Sequence, residues 1–390
     1  MAGRSRGVDD LVSGAATAGP AFDGCYRDQD VVVTGHMGFK GGWLSLWLRH
    51  LGARVHGYSR EAPSVPSLFE TARLAEVLDH TVGDVRDLVG VRALLQRTRP
   101  RFVFHLAAQA IVSRSYTDPV ETMSSNAMGT TMVLEALRSV TWPCAAIFVT
   151  SDKCYDNVEW PWGYRETDRL GGKDVYSGSK AAAEMAIRCY VNAFFAGPGQ
   201  LVRLAVGRAG NVIGGGDWAI DRIVVDCVKA WGAGQRVQLR CPAATRPWQH
   251  VLEPLSGYLA LGQDLAARPA QHGEAFNFGP ATEQNRTVVE VLDDLARFWD
   301  LGAGQRAYDI VTGEQFHEAG LLKLNCDKAL QVLRWRPTLA YRECVTMTGE
   351  WYRRVLREQA DARSLTMAQI ELYEALAAER ELPWRHGAGG

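Results

Sequence analysis

The sequence predicts an α/β fold, a doubly wound parallel sheet followed by a smaller C-terminal substrate-binding region, and three observations carry that expectation. An apolar run, Val31-Val32-Val33-Thr34, enters glycines three apart at Gly35, Gly38 and Gly41. Strand-like and helix-like segments then alternate through about residue 206. The chain has 390 residues, 47% of them hydrophobic, which is enough to bury one large core and a smaller partner.

The elements follow in order. After the first strand, the glycines suit a tight turn, a close backbone approach and a helix packed against the strand, the Rossmann-type arrangement that takes a pyrophosphate at a helix N-terminus. Phe39 and Lys40 sit inside that loop, and Trp43 to Leu48 continues as an apolar helix. Ala53 to Tyr58 reads as a second strand, with Ser59, Arg60 and Glu61 just beyond its end. His80-Thr81-Val82 leads into Gly83, Asp84 and Val85, and Leu88 to Arg97 reads as helix. Arg101 to Leu106 is a buried strand running into Ala107, Ala108 and Gln109. A helix from about Val120 to Arg138 crosses back to the strand Ala145 to Thr150, whose end carries Ser151-Asp152-Lys153-Cys154-Tyr155. Ligands of such sheets bind beyond the strand C-termini, so all these end residues fall on the functional edge. Gln200 to Val206 is a further strand, and from Arg208 the pattern loosens.

The expected division is a flexible extension over 1–29, a dinucleotide-binding unit over 30–207, a mainly substrate-binding region over 208–365 with segments returning to the sheet, and a C-terminal helix and tail over 366–390. With 43 basic and 44 acidic residues the net charge is −1, which gives no broad attraction to nucleic acid or to an anionic membrane. The 8 cysteines are scattered without C-x-x-C pairs, the first thirty residues lack a signal-peptide core, and no apolar run approaches bilayer length. A reduced, cytoplasmic chain is the expectation.

Tyr176 and Lys180 lie four apart, one helical turn on the same face. By itself such a pair is an ordinary solvated helix face; downstream of a dinucleotide loop it reads as a base. A free phenol titrates near 10, so about 4 kcal/mol must be offset for a phenolate at neutral pH, and a neighbouring ammonium or an oxidised nicotinamide favours the anion. Asp152-Lys153 adds a carboxyl and an amine side by side, readable as a loop ion pair or as an acid and base for elimination. Arg208 to Asn211 and Arg246 to His250 are candidates for a substrate phosphate. His36 and His105 read as structural, and no His/Cys/carboxylate spacing suits a metal.

Together, the loop Thr34 to Leu48, the segments Pro63 to Glu70, Ser151 to Asn157, Trp162 to Glu166, Arg208 to Trp218 and Arg246 to Tyr258, and Asn277-Phe278-Gly279-Pro280 resemble the extended short-chain dehydrogenase/reductase superfamily and, within it, the CDP-glucose 4,6-dehydratase family, over roughly residues 30 to 350. The resemblance implies an NAD-dependent, redox-neutral hydro-lyase that takes CDP-glucose to its 4-keto-6-deoxy form. Ser151, Asp152, Lys153, Tyr176 and Lys180 would be catalytic. Tyr176 would take the proton of the sugar 4-hydroxyl, with Lys180 lowering its pKa and binding the nicotinamide ribose. Asp152 would protonate the departing 6-hydroxyl, and Lys153 would be base at C5 or stabilise the enolate. Gly35, Gly38, Phe39, Lys40, Gly41, Ser59, Arg60, Asp84, Val85, Leu106, Ala107, Ala108, Tyr176 and Lys180 would hold the cofactor; Gln109, Asn211, Arg222, Arg246 and His250 would hold the nucleotide sugar. Arg60 leaves NADP open, because a guanidinium there suits a 2′-phosphate, whereas Glu61 suits ribose hydroxyls and NAD. A homodimer formed by the helices carrying Tyr176 and Val120 to Arg138 is also implied.

Three features depart from the family pattern: Met37 in the loop, Ser59-Arg60-Glu61 after the second strand, and Cys241-Pro242-Ala243-Ala244-Thr245 before Arg246. A 4-epimerase, a dehydratase for another nucleotide sugar and a non-catalytic nucleotide-binding scaffold are the competing readings. Asp152-Lys153 argues against the epimerase, and the full set of four reactive side chains argues against the scaffold.

Overall fold

In the computed structural model, which describes residues 19–386 apart from 240, 241, 243, 282, 283, 285, 300, 302–306 and 312–320, seven parallel strands form the central sheet. They are β1 (Asp30–Thr34), β2 (Arg54–Ser59), β3 (Asp79–Val82), β4 (Phe102–His105), β5 (Cys144–Val149), β6 (Val202–Ala209) and β7 (Ala275–Phe278), in the order β7-β6-β5-β4-β1-β2-β3. β1 is flanked by β2 and β4, with Val31 opposite Val55 and Phe102. The winding reverses there, and the crevice at the C-terminal ends of β1 and β4 is where such a sheet takes its ligand.

The valine run of β1 is buried on both faces, which is why it is continuous rather than alternating. Its side chains still divide by the two-residue period of a strand. Val32 joins a core with Leu94, Val133, Leu134 and Phe148, under helices α2 (Leu88–Thr98), α3 (119–137) and α4 (Val175–Tyr190). Val31 and Val33 join the opposite core with Trp43, Trp47, Phe104, Ile147 and Leu255, under α1 (Phe39–His50) and α6 (Leu252–Ala267). Helix α3 is composite: Pro119–Met123, a π-helical turn over Ser124–Met128, and Gly129–Leu137. Helices α5 (Ile223–Gly232), α7 (Tyr341–Glu358) and α8 (Ala362–Glu379) belong to the C-terminal region, with shorter helices over Val288–Ala296 and Asp327–Leu333. Among the described residues, no helix is long and apolar enough to cross a membrane.

β6 runs past the expected boundary at 207, because its pairing with β7 continues to Ala209 opposite Phe278. Glu253 of α6 is fully buried and accepts bonds from the backbone N–H groups of Thr338 (2.9 Å) and Leu339 (2.6 Å) and from the Tyr373 hydroxyl (2.8 Å), clasping α6, α8 and the intervening segment. Residues 20–29 are not a free extension, as composition suggested. Phe22 is fully buried and stacks on Trp384 with ring centroids 5.3 Å apart, and the Tyr26 hydroxyl donates to the Leu259 carbonyl at 2.6 Å. Burial of these two aromatic rings offsets part of the cost of ordering the segment. Residues 1–18 of the expected extension, 387–390 of the tail, and Cys241 lie outside the described residues.

Candidate active site

The loop after β1 turns at Gly35, whose φ is +78° and whose N–H donates to the Tyr58 carbonyl at 2.9 Å. A Cβ there would lie 2.7 Å from the Ala107 nitrogen, and one at Gly41 would lie 2.1 Å from the Gly35 oxygen, so both positions require glycine. Gly38 opens α1 with no side-chain cap, leaving the first-turn N–H groups to the cleft. His36 packs behind the loop, bonded to Ser59 Oγ (3.0 Å) and His80 (2.8 Å); burial and His80 hold its pKa down to about 4. His105 bridges Thr34 (2.8 Å) and Thr130 (3.2 Å), and burial pushes it down to about 3. Both rings are structural.

A cleft of about 360 Å³ opens on this edge, and Gly35, Gly38, Phe39, Lys40, Gly41, Ser59, Arg60, Asp84, Val85, Leu106, Ala107 and Ala108 all line it. At its β2 end four charged side chains interlock. Arg60 Nη1 lies 2.7 Å from Glu121 Oε1 and 3.6 Å from Asp84 Oδ2, while Arg86 bonds Asp84 (2.6 Å) and the other Glu121 oxygen (2.6 Å). Glu121, on α3, carried no signal in the sequence because nothing local ties it to Arg60, 61 positions away.

The chemistry-bearing side chains come from two elements. β5 ends in a short turn capped by Ser151, whose hydroxyl accepts from Lys153 N (3.2 Å) and donates to Asp152 Oδ1 (2.8 Å). Helix α4 starts at Asp174, which caps Ser177 (2.9 Å), so Tyr176 and Lys180 face the cleft in its first turns. The Lys180 ammonium lies 6.0 Å from the Tyr176 ring centroid. Ser151, Lys153, Tyr176 and Lys180 line the cleft; Asp152 lies just beneath its wall, 4% exposed. Burial pushes the Tyr176 phenol up to about 12, against the pull of Arg222 and Ser151, and burial pushes Lys180 down to about 8. Desolvation dominates both groups, so burial alone leaves the phenol above its ordinary value and the amine below its own.

Asn126, which sequence reasoning missed, fixes this arrangement. It accepts from Gln109 N (2.8 Å) and donates to the Gln109 carbonyl (3.0 Å) and Ser179 Oγ (2.8 Å), joining the β4 end to α4. The π-helical turn of α3 presents it, and that turn has no signature in the residue pattern.

The expected substrate residues divide. Asn211 and Arg222 line the cleft with Asp217 and Trp218, neither of which was anticipated individually. Gln109 lines it too, but its amide is spent locally on Ile111 and Thr122. Arg246 stands on a short strand paired with Arg286, its Nη1 on the Thr245 carbonyl (2.9 Å), and does not itself line the cleft. His250 is fully buried against Trp43, ring centroids 5.5 Å apart, and burial pushes its pKa down to about 3; it is core, not a ligand for phosphate. Arg208, also a phosphate candidate, is buried in a two-pronged pair with Glu184 (2.7 and 2.6 Å) and bonds the Tyr155 hydroxyl (2.7 Å). Its charge is consumed inside the protein. Among the described residues no group of three His, Cys, Asp or Glu side chains is placed to hold a metal.

The chain matches known proteins at three levels. The family model for GDP-mannose 4,6 dehydratase matches residues 32–348. The chain is 45% identical over 337 residues to the CDP-glucose 4,6-dehydratase of Salmonella typhimurium, covering 85% of this chain and 92% of that one. In fold it is similar to the dTDP-glucose 4,6-dehydratase of Streptomyces venezuelae solved with NAD (TM-score 0.70, 22% identity, 83% and 97% covered). It is equally close to a Thermotoga maritima UDP-glucose 4-epimerase solved with UDP-glucose (TM-score 0.72, 21% identity, 84% and 100% covered).

Proposed function

The chain belongs to the GDP-mannose 4,6 dehydratase family, and from that premise we propose that it is a nucleotide-sugar 4,6-dehydratase that converts CDP-glucose to CDP-4-keto-6-deoxyglucose with NAD as resident cofactor. The single observation that carries this reading is the meeting of the Asp152-Lys153 turn with Tyr176 and Lys180 at one cleft, since an epimerase has no use for an acid and a base at C5 and C6. In this reading residues 30–207 hold the dinucleotide and 208–365 mainly the sugar nucleotide.

The residues fit the cofactor. The cradle at Gly35 and Gly41 is one a Cβ would fill, and the uncapped α1 N-terminus suits a diphosphate. Bound there, NAD supplies a hydride acceptor for C4 and a hydride donor for C6. The remaining steps are proton transfers by side chains. Tyr176 takes the 4-hydroxyl proton, and with its phenol up at about 12 it needs added positive charge beside it; the Lys180 ammonium supplies part. Lys153, on the cleft wall, takes the C5 proton acidified by the 4-ketone. Protonation of the leaving 6-hydroxyl falls to Asp152 acting through Ser151, which lines the cleft: the Ser151 hydroxyl, which donates to Asp152 Oδ1 at rest, turns to the departing oxygen, gives it its proton and takes the one that Asp152 carries.

The outward apolar side chains of α3 and α4, with Val120 77%, Met128 51% and Met185 47% exposed, support a homodimer through these helices. The seven cysteines among the described residues are all free thiols, which supports a reducing, cytoplasmic setting. The test is to incubate the purified protein with CDP-, UDP-, dTDP- and GDP-hexoses and follow loss of water by mass spectrometry. Dehydration of CDP-glucose with deuterium moving from C4 to the new methyl group is expected; C4 inversion without water loss would overturn the reading.

A further inference from the structure

The end of β2, about twenty residues past the glycine loop, is where a Rossmann-type sheet meets the adenine-side ribose, and an arginine there is the usual partner of a 2′-phosphate. Arg60 occupies that place, yet its guanidinium is already engaged, 2.7 Å from Glu121 and 3.6 Å from Asp84. Arg86 is bound between the same two carboxylates. Three carboxylates, Asp84, Glu121 and Glu61, the last 3.5 Å from Arg60, therefore stand against two guanidiniums, so the corner carries net negative charge. Arg60, Glu61, Asp84 and Glu121 all line the cleft. A phosphate dianion entering here must displace Glu121 from Arg60 and sit beside it, whereas a ribose diol can donate to these carboxylates.

We propose that Glu121 is the residue that makes this cleft choose NAD over NADP, by holding Arg60 and keeping a carboxylate beside the adenine-side ribose. The inference rests on reading the cleft as a dinucleotide site. Glu121 is placed to act because Pro119 and the Asp118 cap fix the first turn of α3, and Asp118 accepts from Glu121 N at 3.1 Å. Ser125, one turn on, donates to Glu121 Oε1 at 3.0 Å and steadies its side chain.

The experiment is calorimetric titration of NAD and of NADP into the full-length protein freed of dinucleotide, for the unaltered chain, Glu121→Gln, and the double variant Glu121→Gln with Arg60→Ala. Glu121→Gln keeps the side-chain shape and removes the charge. The ratio of NADP to NAD affinity is expected to rise about tenfold or more in Glu121→Gln, and adding Arg60→Ala should abolish the gain. Retained NAD binding reports that the variant is folded. NAD binding with an unchanged NADP-to-NAD ratio in Glu121→Gln would overturn this inference alone. Binding of neither dinucleotide by the unaltered protein would overturn it together with the reading of the cleft.

Discussion

The Lys180 ammonium stands 6.0 Å from the Tyr176 ring centroid, and burial moves the two groups toward their neutral forms, the phenol up to about 12 and the amine down to about 8. Below about pH 8 Lys180 is charged and favours the phenolate; above it that help is withdrawn. The first half-reaction, seen as reduced nicotinamide in a single turnover, is expected to quicken as pH rises from about 6 and to level off or fall beyond about 8. Lys180→Met should slow it about 10²-fold and remove the break, and Tyr176→Phe should slow it about 10³-fold. A rate that falls steadily between pH 6 and 8 contradicts this pairing.

Lys153 and Asp152 are assigned to the elimination, not to the oxidation. Lys153→Met and Asp152→Asn should each leave substrate-dependent reduction of the cofactor within about tenfold while slowing water loss by about 10² to 10⁴. Stopped-flow absorbance for the first step and mass spectrometry for the second separate the two. Equal losses in both steps would remove these residues from their roles.

Arg208 and Glu184 form a pair with both side chains 4% exposed, so neither is free to meet substrate. Removing one partner leaves a buried charge uncompensated: Arg208→Met should cost about 3 to 5 kcal/mol, and adding Glu184→Gln should recover part of it. Chemical denaturation of the two variants checks this. A well-folded Arg208→Met with only weakened substrate binding would restore the arginine to the phosphate site.

Glu253 is raised by burial to about 7, against the pull of its backbone and Tyr373 bonds. Its folded pKa thus lies above its unfolded value of 4.5, so the folded state holds the extra proton between these limits and stability falls as pH climbs from about 4.5 to 7. The loss is of order 3 kcal/mol. Glu253→Gln should flatten that slope relative to the unaltered protein in melting curves taken across pH 5 to 8. Parallel curves would show that Glu253 stays ionised throughout.

The exposed face of Val120, Met123, Met128 and Met185 is assigned to the dimer. Met185→Asp together with Val120→Asp should halve the mass seen by light scattering, while melting temperature changes little if these side chains already meet water in the monomer. An unaltered protein that runs as a monomer at micromolar concentration contradicts the assignment.

The β1 to β6 strands and the glycine loop were legible because their signals are local: an apolar run, a period, a turn that only glycine can make. Tyr176 and Lys180 were legible for the same reason, since four positions make one helical turn. What sequence could not supply was partnership across the chain. Arg208 and His250 sit in segments rich in binding-type residues, but Glu184 and Trp43 claim them, and neither partner is a neighbour in sequence. Glu121 and Asn126 are ordinary helix residues until α3 is laid against the ends of β2 and β4. Phe22 and Tyr26 were the missed clue in the N-terminal stretch, two large rings in an otherwise small and polar segment.

Residues 20–26 and 383–386 meet near the start of β4, where Tyr26 packs on Phe102 with ring centroids 4.6 Å apart. Phe22 stacks on Trp384, Arg385 donates to the Gly19 carbonyl at 3.1 Å, and Trp384 in turn stacks on Tyr373. The two segments thus work as a single plug, and neither can be trimmed without uncorking the other. A protease cut just before Pro383 would bare Phe22 and Trp47, and a fusion partner joined too tightly at either side would pry at Tyr373, whose hydroxyl leads straight to Glu253.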